Sequence, residues 1–139
     1  MNRFVLMSIC LFVLTLTACG SGKCSLRGKV TFSDDGTPLP CGIVVFDNEH
    51  TRSKGKVNSD GTYIVGTLSD TDGIPAGTYK VSVTGTYKPV ENINSNNMDV
   101  SQSESLIDAK YANASTSGLT ITVDAQTKVF DISVDRPKK

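Results

Sequence analysis

The 139-residue sequence predicts an all-β sandwich of about seven strands, the number a domain of this size carries when each strand is short. Three observations predict it. Short stretches alternate apolar and polar residues with a period of two, which puts one side of each strand in a core and the other in water. Turn residues (Asp-Gly, Pro, Asn, Ser) separate these stretches at short intervals. The strands fill roughly 110 residues without an internal repeat, as in a single sandwich rather than a solenoid.

Taken in order, residues 26–33 place Leu26, Gly28, Val30 and Phe32 on one side and Arg27, Lys29, Thr31 and Ser33 on the other. The run Asp34-Asp35-Gly36-Thr37-Pro38-Leu39-Pro40 reads as a tight turn. Gly36 accepts positive φ, and the two prolines stiffen the exit by fixing φ and withholding a donor. Leu39 between them is expected to cap the core. Residues 42–48 form a second, more uniformly apolar strand. Residues 54–57 and 62–68 read as a hairpin about Asn58-Ser59-Asp60-Gly61, with Tyr63 and Val65 on one side. Pro75 and Gly77 hold and bend the approach to the 78–87 strand, where Tyr79, Val81 and Val83 share a face. From 88 to 105 no apolar period exists, and the Asn- and Ser-rich segment reads as a long polar loop. Residues 106–115 hold one helical turn, 119–123 and 128–134 are the last strands, and 136–139 is a frayed tail.

The first 18 residues are of a different kind. Arg3 precedes an uncharged apolar run of about 15 residues, short of the ~20 that a spanning helix needs. That is the charge and hydrophobic pattern of a secretory signal. It ends in Leu16-Thr17-Ala18-Cys19, which resembles the lipobox of bacterial lipoproteins. The resemblance implies that Cys19 carries diacylglycerol, that the leader is cut before it, and that the new amine is acylated as well. Several acyl chains hold a protein on a bilayer far more firmly than one. Residues 19–25 then read as the lipidated Cys and a flexible tether, and residues 26–135 as the domain. The expected location is the cell envelope, anchored through the lipid on Cys19. Gly20 rather than Asp after that Cys favours the outer over the inner membrane.

Composition narrows the function. Fourteen basic residues balance fourteen acidic ones, so no basic excess points to nucleic acid. The chain has one His and no Trp, which is thin material for a His-based metal site or an aromatic sugar platform. His50 has no second His to complete a metal or nucleophile set. Asp70-Thr71-Asp72-Gly73 has the start of a calcium loop, but Ile74 and Val81 stand where further ligands belong. It reads as a polar turn. No nucleophile–base set, phosphate loop or Cys-x-x-Cys pair occurs, so no catalytic residue, metal or cofactor is expected.

Of four cysteines, Cys10 leaves with the leader and Cys19 takes the lipid. An oxidising envelope favours a disulfide between Cys24 and Cys41. Geometry opposes it. If the first two strands pair about the Asp34–Gly36 turn, some seven residues at ~3.3 Å each separate the two levels, far beyond the < 7 Å a disulfide spans. The bond forms only if Cys24 belongs to the tether and folds back.

Taken together, "LRGKVTFSDDGTPLPCGIVVFDNE", "GKVNSDGTYIV" and "DGIPAGTYKVSV" resemble the carboxypeptidase regulatory-like domain, a transthyretin-like (prealbumin-like) sandwich related to immunoglobulin-like folds. The ending "AKYANASTSGLTITVDAQTKVFDISV" is similar to that of small transthyretin-like lipoproteins common in planctomycetes. The resemblance implies a non-catalytic structural or protein-interaction module with an envelope protein as partner. The alternative is a glycan- or peptide-binding module, whose sugar surface would rest on Tyr63, Tyr79, Tyr87 and Tyr111 and the 88–105 loop.

Overall fold

The structure, a computed structural model, describes residues 22–88 and 104–138. The leader, Cys19 and residues 89–103 of the expected loop lie outside the described residues. The described chain is nearly all β. Its strands are β1 (Lys23–Cys24), β2 (Arg27–Phe32), β3 (Gly42–Asp47), β4 (Arg52–Val57), β5 (Thr62–Ile64), β6 (Ile74–Pro75), β7 (Gly77–Thr84), β8 (Leu119–Val123) and β9 (Ile132–Val134). One 3-10 turn, Ala109–Ala112, sits between β7 and β8. A four-stranded sheet runs β4-β3-β7-β8, a three-stranded sheet runs β5-β2-β9, and β1 pairs with β6.

The alternating sequence explains the layers. Val44 and Phe46 of β3 and Tyr79, Val81 and Val83 of β7 point inward and are buried. Leu26, Val30 and Phe32, with Tyr63, Ile132 and Val134, come from the other sheet and are buried against them. Phe46 meets Tyr63 and Phe130 across the interface, each at 6.2 Å between ring centroids, a separation at which tilted rings attract. Leu39 caps this core as expected, fully buried and donating its N–H to the Val30 carbonyl.

Tyr63 is gripped by absences. It lies opposite Gly28 on β2, and its hydroxyl donates to the Phe130 carbonyl. A Cβ on Gly28 would fall 1.9 Å from that carbonyl oxygen and 2.8 Å from the hydroxyl. A Cβ on Gly55 would fall 2.7 Å from the ring. Two strands lack side chains where one large ring fills the space. Burial pushes the phenol's pKa far above its ordinary value, because nothing nearby would solvate a phenolate.

Several expectations change. The strands flanking the Asn58–Gly61 turn are antiparallel but join different sheets, β4 with β3 and β5 with β2. They are bonded to each other at both ends of the expected hairpin, Asn58 N–H donating to the Thr62 carbonyl at 2.9 Å and Lys54 and Gly66 exchanging both backbone bonds at 2.8 Å. The hairpin forms, and its two strands then splay so that it bridges the two layers. β3 is the more apolar strand expected, and its outward Ile43 is 39% exposed. β2 does not pair with β3; its neighbours are β5 and, in parallel, β9. That removes the pairing on which the cysteine distance rested. Cys24 and Cys41 are both free thiols, Cys24 buried and Cys41 half-buried.

The structured chain also extends beyond both expected ends. Lys23 and Cys24, expected in the tether, pair with Pro75 and Ile74. Arg136, expected in a frayed tail, pairs with Asp34 at 2.8 Å and Asp35 at 2.9 Å and stacks 3.8 Å over the Phe32 ring.

Candidate interaction face

In an antiparallel sheet, residues opposite one another share a face. Ile43 stands opposite Lys56 and Thr84, Val45 opposite Lys54 and Ser82, and Asp47 opposite Arg52 and Lys80. Lys80 in turn faces Thr120. These residues alternate with the inward ones, so they form the outer face of the four-stranded sheet. The face carries four cations, Arg52, Lys54, Lys56 and Lys80, all exposed, and one carboxylate, Asp47.

The local sequence dictates this. β4 reads Arg-Ser-Lys-Gly-Lys-Val with burial strictly alternating. Of its inward positions, Gly55 lies where Tyr63 occupies the space a side chain would need, and Ser53 meets the Thr67 hydroxyl at 2.8 Å. The charged residues then have only the outward side, about 6.8 Å apart along the strand. Arg52 pairs with Asp47 at 2.6 Å, a partly exposed contact of modest worth. Among the described residues, Lys54, Lys56 and Lys80 form no ion pair.

Lysine on an edge strand also guards against strand addition. That purpose does not cover this face. Lys80 is on β7, between β3 and β8, and the backbone of Lys54 is already taken by Gly66.

An open groove of about 610 Å³ runs along β4. Its lining includes the apolar Ile43, Val57 and Ile64, the two cations Lys54 and Lys56, Cys41 and Asp70. A second open groove, about 760 Å³, lies at the other end of the sheet among Asp47, Glu49, His50, Gly77 and Lys80. His50 is exposed there, and its backbone N–H donates to Asn48 Oδ1 at 3.0 Å. Among the described residues, no group of three or more His, Cys, Asp and Glu could hold a metal ion. No described helix is long and apolar enough to cross a membrane.

Several carboxylates elsewhere hold turns or distant segments together. Asp72 accepts from Lys23 Nζ and from the Thr67 and Leu68 amides, so the 70–73 cluster is a polar turn held by its own acid. Hydrogen bonds from Thr37 hold the Asp35 carboxyl down to a pKa of about 2. Lys110, Ser33 and Tyr111 do the same for Asp135, also to about 2. Thr62 lowers Asp60, and Thr127 lowers Asp124.

The tyrosines proposed for sugar stacking are mostly in the core. Tyr63, Tyr79 and Tyr111 are buried, and only Tyr87, 53% exposed, faces solvent. The cation face itself is absent from the sequence-based expectations. Its signal was the charge at every second position from 52 to 56.

Comparison with protein-family models, curated proteins and solved structures returns no match.

Proposed function

We propose that this chain is a lipid-anchored envelope protein whose sandwich, of the transthyretin-like carboxypeptidase regulatory-like kind, is a non-catalytic interaction module. The observation that carries the reading is the outer face of the four-stranded sheet. It gathers Lys54, Lys56 and Lys80, which form no ion pair among the described residues, in a chain of balanced charge, while the turn carboxylates are bound to structural partners. Anchoring rests on the lipobox ending at Cys19 and on the shortness of the tether. Only Gly20, Ser21 and Gly22 separate Cys19 from β1. The register of β1 on β6 brings Gly22 to the level of Ala76, beside the start of β7. A domain so tethered stays close to the bilayer and meets partners in the envelope. The glycan- or peptide-binding reading is a narrower form of the same display.

A photo-cross-linking residue at position 43, against one at Ser133 on the outer face of the smaller sheet, tests this in intact cells. Adducts are expected from position 43 and are lost in Cys19→Ser. Adducts from 133 instead, or adducts that survive Cys19→Ser, contradict the reading.

A further inference from the structure

The geometry points to a linear acidic polysaccharide as the occupant of this face, and we propose that it lies along β4 with its carboxylates on Lys54 and Lys56. The inference rests on the reading above that this face is the working surface. It adds the chemistry of the partner.

Four features favour that class. Cations recur at every second residue of an extended strand, so the charge is a row rather than a point. A row matches a polymer with repeating anions, and several weak exposed pairs add up when the anions are linked. The groove that Lys54 and Lys56 line also presents the apolar Ile43 and Ile64, which suit the C–H faces of pyranose rings. Thr84, opposite Ile43 on the same face, offers a hydroxyl to sugar hydroxyls. A neutral glycan lacks a platform here, since three of the four tyrosines are buried.

Other anions fit less well. A peptide would add as a strand on the β4 edge, but the backbone of Lys54, at the middle of that edge, is committed to Gly66. A bilayer is flat and would meet the end of the sheet first. Asp47 and Arg52 lie at the end where β7 begins, and the chain enters beside Ala76. The row recedes from there toward Lys56, and the acids at the entering end, Asp47 and Glu49, oppose anionic headgroups.

The test titrates the detergent-extracted full chain with polygalacturonate, and in parallel with neutral dextran, polyphosphate and phosphatidylglycerol vesicles. Binding to polygalacturonate is expected, falling steeply as salt rises from about 0.02 to about 0.3 M. Lys54→Glu/Lys56→Glu should weaken it at least tenfold, and Lys54→Ala/Lys56→Ala less. Arg27→Glu/Lys29→Glu on the smaller sheet should leave it unchanged. All these positions are exposed, and an unchanged thermal transition shows that each variant is folded. Equal binding of dextran, equal loss in the Arg27/Lys29 variant, or tighter binding of polyphosphate or vesicles overturns the inference. Cross-links from position 43 without polygalacturonate binding would leave an interaction face with another partner, so the two readings fail separately.

Discussion

The turns and the outer face of the large sheet use charge in opposite ways. In the turns, carboxylates are short side chains held by neighbours a few residues away, as with Asp35 by Thr37, Asp60 by Thr62 and Asp124 by Thr127. Their charge closes the backbone. On the sheet, lysines stand on long stems with no ion-pair partner among the described residues, and their charge closes nothing. Among the described residues, the turn acids thereby build the fold, together with Lys23, Lys110 and Arg136 that pair with acids, while Lys54, Lys56 and Lys80 are the bases that the sheet displays. The division follows from side-chain length. Asp reaches its own backbone easily, whereas Lys on a strand reaches outward.

This division predicts that stability and surface binding respond to different residues. The largest effect on folding should come from the core that both regions share. Phe46→Ala removes a ring packed against Tyr63 and Phe130 and should cost about 3–5 kcal/mol, read as a shift in denaturant midpoint. Gly28→Ala should cost about 1–3 kcal/mol, because the new methyl meets the Phe130 carbonyl and displaces the Tyr63 hydroxyl. A Gly28→Ala protein as stable as wild type would mean that the glycine grip on Tyr63 is not a constraint.

Acid should act on the turns. Asp35 and Asp135 titrate near 2 in the folded chain against an ordinary 3.8, and Asp72 is also lowered. The folded state therefore binds fewer protons than the unfolded state in this range. Their stabilisation is fully present above about pH 4 and is lost as pH falls through about 2. Thermal unfolding followed across that window should show the decline, and Asp72→Asn together with Asp135→Asn should flatten it. The smallest expected effect on stability is that of Lys54→Glu/Lys56→Glu, which should leave thermal unfolding unchanged. A large loss of stability there would mean that these lysines build the fold after all.

The alternation of apolar residues and the Asp-Gly turns made the all-β class and most strands legible, including β8 over 119–123 and the buried Leu39. Pairing was less legible. The Asn58–Gly61 turn has hairpin chemistry, yet the flanking strands diverge into two sheets, because turn residues set local φ and ψ while the distant Gly28 and Phe130 decide where Tyr63 lies. The assumed pairing of β2 with β3 failed for a related reason. Pro38, opposite Thr31, and Pro40 carry the chain out of the first sheet before β3 starts. Arg136 reads as tail because its partners, Asp34, Asp35 and Phe32, lie some hundred residues away in sequence. The row at 52, 54 and 56 was open to the same period-two reading as the core strands. Its extension to Lys80 depends on β7 lying beside β3, which no local pattern states.

Display of this face from a lipid on Cys19 is tested most directly by the intact mass of the membrane-extracted chain, wild type beside Cys19→Ser. The expected wild-type species begins at Cys19 and carries acyl mass that the variant lacks. A wild-type species with a free Cys19 thiol, or one cleaved elsewhere, would contradict the anchor and leave a secreted sandwich instead.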